Sequence, residues 1–297
     1  MNKKIYLITG ATGFLGSTIV KRLLSLEYYV IGLKRTTSDV KNIKDVLDHQ
    51  NFMTYNVDVD ALEKIFEIHD VHTIVHCATS SANRGGSIPQ IFEANVVLPL
   101  RLLNSGVKNG LKVFINSGVF IPQNYVDTYF NSKKIFLNSL MEYRNIIKIV
   151  DVQLQMLYGK NSSKTQFIAN MIEKLLNDVP SIDLTKGEPK RDFIYIEDAL
   201  DAFLIILNNV DSFKEKYTKI DLGSGESIPI KEVVLKLRRF TGNVNTKLNF
   251  GAFPYRDNEI FESKADIRFL KEYGWYPKYS IDEGLKLTVE SMVGIHD

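Results

Sequence analysis

Short apolar runs alternate with longer amphipathic stretches through the first half of the chain. The runs predict strands at Ile5–Thr9, Tyr29–Leu33, Phe52–Tyr55, Thr73–Cys77, Lys112–Ser117 and Ile147–Leu154. Between them the spacing of apolar positions predicts helices over 14–26, 39–49, 60–69, 89–109 and 128–144. Strand–helix alternation of this kind predicts a parallel sheet covered on both faces. The segment Thr73-Ile-Val-His-Cys77 is apolar almost without a break, which suits a strand buried on both sides.

The second half is less regular. It predicts helices near 164–177, 197–209 and 230–241, with strands at Phe193–Ile196 and Tyr217–Leu222. A last helix is expected from Ser280, because Ser280 and Glu283 have capping-box spacing. Glycine and proline punctuate the region without forming a linker, so two lobes sharing an interface are expected: 1–158, with 192–210 returning to it, and 159–297.

Composition narrows the classes. The 297 residues are 44% hydrophobic and 24% charged, with a net charge of +2. Such a balance gives no reason to expect nucleic acid or an anionic membrane as partner, and any anionic ligand must be met by a few placed cations. The single cysteine, Cys77, excludes an intrachain disulfide and argues against a cysteine metal site; no metal is expected. The apolar run Ile5–Ile8 is too short for a signal sequence or a membrane span, so a cytoplasmic location is the simplest expectation.

Candidate chemistry begins at residues 10–16, Gly-Ala-Thr-Gly-Phe-Leu-Gly, between the first strand and the first helix. Gly10 suits a tight turn, Gly13 lets a pyrophosphate approach the main chain, and Gly16 allows close helix–strand packing. The N–H groups of Thr12, Phe14 and Leu15 belong to the same cradle, where the helix dipole favours phosphate. The second strand ends in Lys34-Arg35 with no carboxylate. An acid there would hold the ribose of NAD, whereas a cation suits the 2′-phosphate of NADP, and the planar fork of Arg35 makes it the better candidate. Asp58, followed by Val59, is placed to meet adenine or, equally, to cap the next helix.

Tyr129 and Lys133 are four apart on a predicted helix and share a face. A cation beside a phenol favours phenolate, which fits Tyr129 for proton transfer at a carbonyl or alcohol. Ser117, at the end of the fifth strand, is placed to hydrogen-bond the same oxygen.

These motifs, in this order, resemble the extended short-chain dehydrogenase/reductase family over nearly the whole chain. The family's strand-four signature is matched by His76-Cys-Ala78-Thr79, and its later asparagine by Asn95. The resemblance implies a Rossmann-type doubly wound parallel sheet with a smaller C-terminal α/β substrate-binding lobe. It also implies that NADP(H) is the cofactor, that Ala78 and Asn95 line its cleft and that Lys133 contacts the nicotinamide ribose. The second half is similar to the sugar-nucleotide branch. There Lys190-Arg191-Asp and Arg256-Asp-Asn-Glu259 imply that Arg191 and Arg256 meet a diphosphate and Glu259 a ribose. Loop 79–88, with Thr79, Ser80, Asn83 and Arg84, is where sugar selection is expected. Lys190–Ile196, Gly223–Ser227 and Tyr255–Glu259 look most like the CDP-abequose and CDP-paratose synthases, which are 4-ketoreductases.

Two departures matter. The 4,6-dehydratases of this branch carry an Asp-Glu pair where this chain has Gly118 and Val119. The family's Arg-x-x-Asn-x-Tyr-Gly pattern is altered to Gln153-Leu-Gln-Met156-Leu-Tyr158-Gly159. Three readings follow: an NADPH-dependent 4-ketoreductase of a nucleoside-diphosphate sugar, an NAD-dependent C4 epimerase, and a non-catalytic dinucleotide-binding regulator. The resemblance further implies a homodimer through the helices around 89–109 and 128–144, although packing on the sheet explains their apolar faces equally well.

Overall fold

The computed structural model describes residues 4–82, 85–120 and 127–294. These fall into two compact units, 4–82, 85–120, 127–153 and 206–220 in the first, and 154–205 with 221–294 in the second.

The first unit is built on a sheet of seven strands. Its elements are β1 (Ile5–Thr9), α1 (Phe14–Ser25), β2 (Tyr29–Lys34), β3 (Phe52–Asn56), α2 (Leu62–Ile68), β4 (Val71–His76), α3 (Ile88–Phe92), α4 (Leu98–Lys108), β5 (Val113–Val119), α5 (Thr128–Leu140) and β6 (Lys148–Leu154). The strand Tyr217–Leu222 lies beyond β6, and the order continues through β6, β5, β4, β1 and β2 to β3. This is the parallel Rossmann arrangement, with β1 paired in unbroken register to β2 and, from Tyr6 on, to β4, where the register shifts between Ile5 and Tyr6. Strand order reverses beside β1, so the carboxyl ends of β1 and β4 border the crevice where such sheets bind ligands. Leu7, Ile8, Ile74, Val75, Phe114 and Ile115 are essentially without exposure, as a sheet covered on both faces requires. Lys148 ties segment 206–220 to this unit, its ammonium donating to the carbonyls of Val210, Asp211 and Phe213.

Several predicted helices take other forms. Residues 39–49 give only a 3₁₀ turn, Lys41–Val46, in which Asn42 reaches the carbonyl of Thr12 at 3.1 Å. The helix expected from 60 starts at Leu62, because the Asp60 carboxylate accepts from the Asn56 N–H and closes the turn after β3. Stretch 89–109 contains a π-helical turn, Glu93–Val97, between α3 and α4. Pro99 has no N–H to return to Asn95, which removes one bond of the α-helical ladder at that turn.

The second unit uses small sheets whose strands are too short to show a period in sequence. Phe193–Tyr195 pairs with Met156–Tyr158, and Ser181–Leu184 with Lys247–Phe250. Lys190–Arg191 lies between Ile228–Pro229 and Glu262–Ser263. Asp192, fully buried, accepts from the N–H groups of Ser224, Gly225 and Ala265 and so draws three segments together. The last helix, Ile281–Val293, begins with the expected Ser280–Glu283 capping box. No described helix is long and apolar enough to cross a membrane.

Candidate active site

The glycine turn has the geometry that its sequence requires. Gly10 has φ +63°, and a Cβ there would stand 2.9 Å from the N of Ala78. A Cβ on Gly16 would run into the carbonyl oxygen of Gly10, so the helix can start this close to the turn only with glycine. Gly13 caps α1 with no side-chain hydrogen bond, and no acid stands in the first turn. The start of α1 thus keeps its positive end for an anion, beside Phe14 and the buried Leu15. These features fit a dinucleotide pyrophosphate.

Thr9 fixes the other wall. Its hydroxyl accepts the N–H groups of Cys77 and Ala78, each at 3.0 Å, and lies 2.8 Å from His76 Nδ1. With two donors already on the oxygen, the hydroxyl proton goes to Nδ1, so the ring proton of His76 is on Nε2. That atom is buried with no hydrogen-bond partner among the described residues. Burial, aided by the nearby Lys133 charge, holds His76 well below the ordinary imidazole value, so the ring is neutral.

At the end of β2 the two cations differ. Lys34 donates to Asn56 Oδ1 at 2.6 Å, whereas the side chain of Arg35 is on the exposed segment that follows. Asp58 accepts from the backbone and hydroxyl of Thr36 and thereby shapes the loop carrying Arg35. These hydrogen bonds, with Arg35 nearby, hold its carboxyl below the usual range. Val59 beside it is exposed.

Asn95 is fully buried in the π turn. Its Oδ1 accepts from Ser80 N at 2.8 Å and Thr79 Oγ1 at 3.3 Å; its Nδ2 donates to Ser80 O and Ser132 Oγ, both at 2.9 Å. The amide is therefore spent on tying the loop after β4 to α5. Asn83 and Arg84 lie outside the described residues.

On α5, the Asp127 carboxylate caps the helix through the N–H of Phe130 at 2.7 Å. Tyr129 and Lys133 share a face, with the Lys133 ammonium 5.9 Å from the centre of the Tyr129 ring. Lys133 is 5% exposed. Ser117 is half-buried near the carboxyl end of β5, between Asn116 and Gly118.

Within the second unit, two residues expected to grip a nucleotide grip one another. Arg191 Nη2 donates to Glu259 Oε1 at 2.5 Å, while Nη1 donates to the carbonyls of Lys190 and Ile260. Glu259 N donates to the carbonyl of Arg256 at 3.0 Å, closing a turn that leaves Arg256 on the surface.

Sequence reasoning missed Thr9, Asn42, Ser132 and Asp192, and with them the buried carboxyl of Asp151. Asp151 left one signal, an acid inside the otherwise apolar Ile149-Val-Asp-Val152.

Comparison with known proteins identifies the family of the chain. Residues 6–221 match the model of the NAD dependent epimerase/dehydratase family. The chain is 32% identical over 295 residues to CDP-abequose synthase of Salmonella muenchen, covering 96% of this chain and 97% of that one. It is 28% identical to CDP-abequose synthase of Salmonella typhimurium, with the same coverage. Among solved structures, UDP-glucose 4-epimerase of Thermotoga maritima with UDP-glucose has a TM-score of 0.85 at 24% identity, covering 99% of this chain and 100% of that chain. The chain belongs to the NAD dependent epimerase/dehydratase family and is an NAD(P)-dependent enzyme of the extended short-chain dehydrogenase/reductase type.

Proposed function

We propose that the protein is an NADPH-dependent 4-ketoreductase acting on a nucleoside-diphosphate 4-keto-6-deoxyhexose in deoxysugar biosynthesis. The observation that carries the reading is the Tyr129–Lys133 pair, on the same unit as a glycine cradle suited to a dinucleotide. The bound cofactor would supply the hydride. Tyr129 would then give its proton to the C4 oxygen, Ser117 would hydrogen-bond that oxygen, and Lys133 would stabilise the phenolate left behind.

Support for reduction over elimination comes from position 118. A Cβ there would stand 2.7 Å from Asp151 Oδ1, so an acid at the place where dehydratases of this branch carry one would have to displace that buried carboxyl. Support for NADPH comes from Lys34 and Arg35 with no acid at the end of β2. Arg191 and Arg256 supply the positive charge that a diphosphate needs, and Glu259 an acceptor for a ribose hydroxyl. The two CDP-abequose synthase relatives make a CDP-linked sugar the first substrate to try.

A C4 epimerase is the second reading, favoured by the fold shared with UDP-glucose 4-epimerase. Incubation with CDP-4-keto-6-deoxyglucose and NADPH separates the two: the reductase consumes NADPH with the keto sugar. No consumption with any nucleoside-diphosphate keto sugar, together with interconversion of UDP-glucose and UDP-galactose, would overturn the first reading.

A further inference from the structure

The peptide group between Thr12 and Gly13 lies in the middle of the glycine turn, and both of its polar atoms are held. Its N–H donates to the carbonyl of Gly10 at 2.9 Å, and its carbonyl accepts from Asn42 Nδ2 at 3.1 Å. The first bond is local, whereas the second spans 30 residues of chain. Asn42 belongs to the 3₁₀ turn Lys41–Val46, which is fixed by contacts of its own. Ile43 has no exposure and its N–H donates to the carbonyl of Val40 at 2.9 Å, while Asp45 pairs with Lys21 of α1 at 2.8 Å. The half-buried amide of Asn42 is thus presented to Thr12 from a firm support.

Two orientations are open to that peptide group. Turning it over changes ψ at Thr12 and φ at Gly13, and glycine, here at φ −76°, is the residue that tolerates the positive φ of the flipped form. The flipped form loses both hydrogen bonds and opens the turn that Gly13 closes on Gly10. It also disturbs the N-cap of α1, where the Gly13 carbonyl accepts from Ser17 N at 2.9 Å. A phosphate cradle gains affinity when its N–H groups are aligned before the anion arrives. The glycine that admits a pyrophosphate therefore leaves its own peptide free to turn, and a side chain from outside the motif removes that freedom.

We propose that Asn42 is a positioning residue for the cofactor, locking the Thr12–Gly13 peptide and so preorganising the turn for a pyrophosphate. The proposal rests on reading residues 10–16 as the cradle of the dinucleotide. Asn42 acts through the turn, so its effect falls alike on NADPH and NADH, which share the pyrophosphate; Arg35 instead tells the two apart.

The test compares Asn42→Ala with wild type in the complete protein, by fluorescence titration with NADPH and with NADH. Both dissociation constants rise by about ten-fold, the effect of one lost hydrogen bond, and KM for NADPH rises with kcat little changed. Hydrogen exchange of the cofactor-free protein, followed by NMR, is the second readout. The Gly13 amide exchanges about ten-fold faster, while the Ile43 amide keeps its wild-type rate. Asn42→Asp keeps the size and removes the donor, and gives the same result should alanine unsettle the fold. Unchanged affinity for both cofactors overturns the proposal, as does a loss confined to NADPH. Faster exchange at Gly13 and Ile43 together overturns it too, since Asn42 would then only brace its own turn. Equal weakening in a folded protein that reduces no keto sugar keeps Asn42 in this role and removes the reductase reading.

Discussion

Arg191 and Glu259 form an ion pair with N–O distance 2.5 Å and side chains 15% and 19% exposed. Charge-assisted hydrogen bonds of this kind contribute about 1.5–3 kcal/mol when mostly shielded from water. A diphosphate reaching Arg191 must share or replace Glu259, and the released carboxylate becomes an acceptor for a ribose hydroxyl. Glu259→Gln is expected to raise KM for the sugar nucleotide about ten-fold or more, with kcat little changed. Steady-state kinetics check this; an unchanged KM would remove Glu259 from nucleotide binding.

Arg35 is expected to carry the preference for NADPH, since Lys34 is already bonded to Asn56. Arg35→Glu should weaken NADPH binding by about 1.5–3 kcal/mol, or roughly 10- to 100-fold, and leave NADH far less affected. Fluorescence titration with both cofactors tests it. Equal losses for the two would point to Lys34 instead.

Tyr129→Phe removes the phenolic hydroxyl and leaves the ring. Turnover should fall by about 10²–10⁴-fold, the usual range for a general acid, with NADPH affinity nearly intact. Activity near wild type would take Tyr129 out of the chemistry.

His76 makes stability pH-dependent. Its folded value is depressed by burial first and by Lys133 second, whereas in the unfolded chain it titrates near 6.5. Below that pH the unfolded state takes up a proton that the fold refuses. The stability supplied by the neutral ring is thus complete above about 6.5 and is lost as pH falls, at about 1.4 kcal/mol per pH unit. Denaturant unfolding between about pH 7 and 5 should show a steeper loss of stability in wild type than in His76→Phe, the residual slope of the variant including that of His72, which burial also depresses. Parallel curves would mean that His76 accepts a proton in the fold.

The first unit was largely legible in the sequence. Its strands are near-continuous apolar runs, and the glycines of residues 10–16 and the Tyr129–Lys133 spacing act locally. The second unit was less so, because strands such as Lys190–Arg191 and Glu262–Ser263 are two residues long and show no period. Asn95 illustrates a different limit. Its position matched a family motif, yet only the fold shows its amide joining Ser80 to Ser132. The Arg191–Glu259 pair was equally hidden, since the two residues are 68 positions apart and nothing local brings them together. Gly118 and Gln153 stood out as departures, but that both meet the carboxyl of Asp151 shows only in the fold, because Gly118 reaches it from the neighbouring strand.

The most direct measurement of the central claim follows the hydride itself. The protein is incubated with CDP-4-keto-6-deoxyglucose and NADPH deuterated at the transferable C4 position, and the product is analysed by mass and NMR. A 4-ketoreductase places one deuterium at sugar C4 for each NADP⁺ formed. Unchanged keto sugar with no oxidation of NADPH, together with interconversion of UDP-glucose and UDP-galactose in a parallel incubation, would contradict the account.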